Sequence, residues 1–157
     1  MSDSTAGKAE RGGGAGRTLA LDYGDRRIGI ALSDELGLTA RPLMTLTRTS
    51  WPADLDRLRG LIRDHDVRRI VVGLPLDMDG RRGGRARLTG TIIEKIRGAT
   101  GLPVIEWDER LTTVQAERLL ISGDVSRARR RQVIDQVAAV ILLQAWLDAQ
   151  HAGGTPG

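Results

Sequence analysis

Cysteine is absent from this 157-residue chain, which excludes disulfides and thiolate-bound metals and fits a reducing cytosol. Phenylalanine is absent as well. With one tyrosine and three tryptophans, aromatics make up 3% of the residues, so stacking on nucleobases has few candidate side chains. No apolar run approaches the roughly 18 residues that a membrane span needs. The N-terminal stretch MSDSTAGKAERGGGAGR lacks the apolar centre of a signal peptide. These absences lead to the expectation of a cytoplasmic protein with no membrane partner. Lysine is also scarce, occurring only at Lys8 and Lys95, so nearly all the positive charge is arginine.

What is present is a globular composition, 40% hydrophobic and 28% charged, in a length that suits one domain able to bury its own core. The expected organisation is a flexible leader over 1–16, a folded domain over 17–148 and a flexible tail over 149–157. The formal net charge of +4 and an isoelectric point near 10.5 favour a polyanionic partner such as nucleic acid. Two clusters concentrate that charge: Arg81, Arg82, Arg85 and Arg87 in a Gly-rich stretch, and Arg127, Arg129, Arg130 and Arg131 ahead of Asp135. Either cluster, taken alone, reads equally well as a solvated face.

The elements alternate in type. TLALDY (18–23) and RIGIALS (27–33) read as strands joined by a short turn at Gly24 and Asp25, and PLMTLT (42–47) as a third strand. A helix is expected from Pro52 to His65, with Leu55, Leu58, Leu61 and Ile62 on one stripe. RIVVG (69–73) has the fully apolar character of a strand buried on both faces. A helix over 87–97 and a strand over 103–107 follow. Thr112 and Gln115 have the spacing of a capping box, predicting a helix to about Ile121, and a long last helix is expected over 127–148. Three strands followed by α-β-α-β-α-α predict a mixed five-stranded sheet flanked by helices, an α/β sandwich.

Three carboxylates border its apolar segments. Asp22 lies near the end of the first strand, sharing a face with Ala20; Asp108 and Glu109 follow PVIEW; Asp135 begins an apolar stripe of Ala138, Ala139, Leu142 and Trp146. A charge against an apolar face is costly unless compensated, and three on converging elements suggest a divalent-metal site. Asp22 taken alone reads as a turn aspartate ahead of Gly24, and Asp135 as a boundary residue paired with Arg131. Adjacent strand residues face opposite ways, so only one of Asp108 and Glu109 is expected to point into such a site.

LALDYGDRRIGIALSD, VVGLPLDMDG, DERLTTVQAE and IDQVAAVILLQAWLD, in this order and spacing, resemble the YqgF/RuvX family, a branch of the ribonuclease H-like superfamily. The resemblance covers about Arg17 to Asp148. DERLTT is its most specific motif. It implies a ribonuclease H-like α/β fold and a metal-dependent nuclease, described both as a Holliday junction resolvase and as a nuclease for the 5′ end of precursor 16S rRNA. It also implies Asp22, Glu109 and Asp135 as catalytic metal ligands, the choice of Glu109 resting on the glutamate that the superfamily places near the end of this strand. Asp108 would then anchor the loop or orient Arg110.

Hard oxygen ligands suit Mg²⁺ or Mn²⁺, and two such ions support phosphodiester hydrolysis without a side-chain nucleophile. Neither His65 nor His151 is needed. The Leu76–Gly84 stretch lacks a phosphate-loop pattern and is expected to be a mobile loop at the cleft mouth. Arg81, Arg82, Arg85, Arg87, Arg110, Arg127 and Arg130 are the candidate backbone contacts to RNA or DNA. A monomer and a homodimer both fit, and paired cuts at a junction would require two sites. Two other classes compete: a non-catalytic nucleic-acid-binding module in transcription or ribosome assembly, and an actin-like phosphotransferase, which needs a second lobe.

Overall fold

The computed structural model describes residues 16–74, 82–107 and 127–152, with side chains described in these segments except at 82–86 and 127–134. Strands β1 (Arg17–Tyr23) and β2 (Arg27–Ser33) are buried on both faces from their second residue onward. They form an antiparallel hairpin whose turn is closed by Gly24 N–H donating to the Arg27 carbonyl at 3.0 Å. Strand β3 (Ala40–Thr47) continues the meander antiparallel to β2, with a register shift opposite Ile30 and Ala31.

Helix α1 (Trp51–His65) starts where Ser50, in extended conformation, accepts a hydrogen bond from Ala53 N–H, with Pro52 in the first turn. It ends at Asp66, in the left-handed region at φ 55°, whose N–H returns to the Ile62 carbonyl. Strand β4 (Val67–Gly73) then runs parallel to β1. Helix α2 (Arg82–Thr100) and strand β5 (Val104–Trp107), parallel to β4, follow, and helix α3 (Arg127–Ala152) closes the described fold.

The sheet order is β3-β2-β1-β4-β5, the mixed five-stranded sheet that the alternation of elements predicts. Period-2 alternation divides its side chains between two cores. Leu19, Leu21 and Tyr23 of β1 join Ile70 and Val72 of β4 against Leu58 of α1 and Ile92 and Ile96 of α2. Ala20, Ala31 and Val71 face the other way, against Ala139, Leu142, Leu143, Trp146 and Leu147 of α3. The small residues are on the α3 side, which lets that helix lie close to the sheet.

Several boundaries differ from expectation. Helix α2 begins at Arg82, so the end of the Gly/Arg stretch read as a loop is helical. Gly83 and Gly84 are poor helix formers, and it is the Leu88, Ile92 and Ile96 stripe packed on the sheet that sustains the helix. Helix α3 continues past Asp148, so His151 lies in its last turn and its Nε2 is 2.9 Å from the Gly37 carbonyl oxygen. Strands β3 and β4 each start two residues earlier than the apolar pattern suggests. The helix expected over 112–121 lies outside the described residues. No helix among the described residues is long and apolar enough to cross a membrane.

Candidate functional site

Asp22 occupies the centre of a row that crosses the whole sheet. Registers pair Thr45 with Gly29, Gly29 with Asp22, Asp22 with Gly73, and Gly73 with Trp107. Residues directly opposite one another in a sheet point to the same face, and this row shares the α3 face with Ala20, Ala31 and Val71. Asp22 is therefore a buried carboxylate flanked on both sides by residues without a side chain. The period-2 expectation that Asp22 shares a face with Ala20 holds.

Helix α3 descends onto this row through Gly29. A Cβ at Gly29 would collide with the Asp135 carbonyl oxygen and would stand 3.0 Å from the Asp135 Cβ. Gln136 Nε2 donates to Thr45 Oγ1 at 3.0 Å, fixing the next residue of the helix over the next strand. Asp22 and Asp135, 113 positions apart by their numbers, thus become neighbours across one strand spacing. The Ala138, Ala139, Leu142 and Trp146 stripe is buried, as the helical spacing predicts.

Asp135 Oδ2 accepts from Arg27 Nε at 2.6 Å; the Arg131 side chain, expected to pair with Asp135, lies outside the described residues. Arg27 was not among the candidate residues. It precedes Gly29 by two positions on β2, so the same alternation that exposes Gly29 to α3 carries Arg27 to that face. Both side chains are largely covered, with 28% and 20% of their surface exposed.

The opposite face braces the turn that follows Asp22. Tyr23 is buried and stacks on Trp51 with ring centroids 5.7 Å apart, and the Arg48 guanidinium lies 4.6 Å from the Tyr23 centroid. From there Arg48 Nη1 donates to the Gly24 and Asp25 carbonyls, each at 2.9 Å. Burial pushes the Tyr23 phenol up to about 12; Arg48 opposes the shift and the nearby Asp54 adds to it. Asp54 is itself buried and accepts from the backbone and hydroxyl of Thr49.

The remaining candidates fall into three groups. Asp108, Glu109, Arg81 and Arg110 lie outside the described residues, as does the DERLTT motif. Arg82 and Arg85 lie in the first turns of α2 and Arg127 and Arg130 in the first turn of α3, in the stretches where only the backbone is described. Arg87 is exposed on α2. Among the described residues no group of three or more His, Cys, Asp or Glu forms a metal site. Asp22 and Asp135 lie on adjoining positions of the sheet face and its covering helix, and in sequence Glu109 comes two residues after Trp107, the end of the same row.

The family model described as "RuvX: Holliday junction resolvase" matches residues 16–149. A protein of Symbiobacterium thermophilum named "Putative pre-16S rRNA nuclease" is 54% identical over 136 residues, covering 87% of this chain and 94% of that protein. One of the same name from Myxococcus xanthus is 50% identical over 139 residues, with 88% and 92% covered. Among solved structures, RuvC of T. thermophilus in complex with a Holliday junction substrate superposes with a TM-score of 0.54 at 17% identity, covering 86% of this chain and 95% of that one. That likeness shows a shared ribonuclease H-like fold.

Proposed function

The chain belongs to the RuvX family, described as Holliday junction resolvases, and from that membership and the Asp22 row we propose that it is a metal-dependent endonuclease hydrolysing phosphodiester bonds in nucleic acid. The observation that carries the site is the convergence of Asp22 and Asp135 through the side-chain-free position at Gly29. The relatives' name makes the 5′ end of precursor 16S rRNA the leading substrate, and the family description adds branched DNA.

Asp22 and Asp135 are two of the metal ligands and Glu109 is the third. The parity of β5 supports Glu109 over Asp108: Ile105 and Trp107 pack against the α3 core, and 109 has the same parity. An all-carboxylate donor set fits hard cations, Mg²⁺ or Mn²⁺, and two such ions supply water activation and charge neutralisation on the leaving oxygen. Gly73 leaves one flank of Asp22 without a side chain, room for a phosphate, while helix α3 fills the space over Gly29 on the other. Helix α3 covers the row on one side and holds Asp135 at a fixed height above it. Tyr23 and Arg48 hold the turn behind Asp22 from the far face. The exposed Arg87, with Arg81, Arg82, Arg85, Arg110, Arg127 and Arg130, supplies backbone contacts that carry no base information.

The test is cleavage of labelled precursor rRNA, single-stranded DNA and four-way junctions by the purified chain. Mg²⁺ or Mn²⁺ should support turnover, whereas Ca²⁺ should permit binding with little cleavage, because its larger and more flexible shell relaxes the geometry. Hydrolysis that persists in excess chelator would overturn the metal-dependent reading, and binding without cleavage under every cation would favour a non-catalytic nucleic-acid-binding module.

A further inference from the structure

Arg27 and Asp135 make a short, charge-assisted contact at 2.6 Å between two largely covered side chains. Only Nε is engaged among the described contacts, and only Oδ2 accepts. Asp135 therefore needs no cation to have its charge compensated. Yet the helix position that seats it on Gly29 also puts it one strand from the Asp22 carboxylate. A divalent cation held between the two acids would bring a double positive charge next to the guanidinium in a setting where water screens poorly. Both cannot hold Asp135 at full strength.

We infer that Arg27 is the resident counter-ion of Asp135, a positioning residue that neutralises the carboxylate in the cation-free state and is loosened when a divalent cation binds. The inference rests on the reading of Asp22 and Asp135 as metal ligands. It makes cation affinity and the ion pair reciprocal, since whatever the pair contributes to the cation-free state must be given up on binding.

The test is calorimetric titration of Mn²⁺, with no substrate present, into the wild-type chain, Arg27→Gln, Arg27→Lys and Asp135→Asn, with thermal unfolding measured in chelator and in saturating Mn²⁺. Arg27→Gln should tighten Mn²⁺ binding about fivefold, the factor equivalent to about 1 kcal/mol for a partly exposed pair. It should lower the unfolding temperature in chelator more than in Mn²⁺. Arg27→Lys, which keeps the charge, should stay close to wild type in both measurements. Adding Arg27→Gln to Asp135→Asn should change neither further, because the shared partner is already gone.

On the wild-type chain itself, the Arg27 Nε–H resonance should lose its hydrogen-bonded shift as Mg²⁺ is added, which tests the inference even if the glutamine variant fails to fold. Unchanged or weaker Mn²⁺ binding in Arg27→Gln, or an Nε–H resonance indifferent to Mg²⁺, would overturn the role of Arg27 while leaving the nuclease reading intact. Failure of the wild-type chain to bind Mn²⁺ would overturn both.

Discussion

Gly29 and Asp135 meet backbone to backbone: the glycine on β2 offers no side chain, and the carbonyl of Asp135 on α3 takes the space a Cβ would need. Neither partner is a flexible side-chain tip. Gly29→Ala should therefore push α3 off the sheet, costing about 1–3 kcal/mol by overpacking. It should reduce cleavage as well, because the displaced element carries Asp135. Thermal unfolding together with a cleavage assay checks this; an alanine variant with wild-type stability would mean that the helix can shift without strain.

The carboxylates can be tested singly. Asp22→Asn, Glu109→Gln and Asp135→Asn should each lower cleavage by at least about 100-fold while retaining the fold, since each removes a ligand charge from the cation site. Circular dichroism would verify the fold in each case. Full activity of Asp22→Asn would refute the mechanism, whereas full activity of Glu109→Gln with loss in Asp108→Asn would reassign the third ligand and the parity of the strand end.

The arginines predict a change in salt dependence. If Arg82 and Arg87 contact phosphates, replacing both by alanine should weaken binding to all sequences alike. It should also reduce the slope of log K against log salt by roughly 2 on duplex, from about 0.9 per lost contact, and by less on single strands. Fluorescence anisotropy across a salt series measures it. An unchanged slope would leave the two side chains as a solvated face of α2 and turn attention to Arg127 and Arg130.

Tyr23 is the only tyrosine in the chain, so its ionisation can be followed directly by tyrosinate absorbance. Its midpoint should fall near 12, against the ordinary value of 10.0, because burial disfavours the phenolate. The folded pKa lies above the unfolded one, so the stability linked to Tyr23 is complete below about pH 10 and is lost as the pH rises toward 12. Tyr23→Phe should keep the stack on Trp51 and flatten that alkaline loss. A wild-type midpoint at the ordinary value would show the ring to be accessible to solvent.

The strands, and the placement of Asp22 near a strand end and of Asp135 on a helix, were legible because each depends on local pattern. Apolar runs ending at Asp22 and Gly73, and Ala139 and Leu142 following Asp135 at helical spacing, hold their meaning without knowledge of partners. The Arg27–Asp135 pair was not legible, since its members lie 108 positions apart and only the docking of α3 on β2 unites them. The part played by Gly29 was hidden for the same reason, since only the docking of helix α3 fills the space above it. The start of α2 at Arg82 was hidden because two glycines argue locally against a helix that packing farther along sustains. Trp51 and Arg48 bracing the Asp22 turn likewise required the sheet to be assembled first.

Helix α3 has 26 residues, a rod of about 39 Å at 1.5 Å per residue, with Asp135 in its first half and further fastenings in its second half. Gln144 accepts from Ala40 N–H and donates to the Leu38 carbonyl, each at 3.0 Å, and His151 meets Gly37 on the same loop. These contacts act as pins that fix the sliding position of the rod. A slip by one helical turn would carry Asp135 about 5.4 Å along the sheet, beyond shared coordination with Asp22. The geometry of the proposed site is thus set partly from farther along the same helix, and substitutions in the Asp34–Thr39 loop should mistune it without touching it.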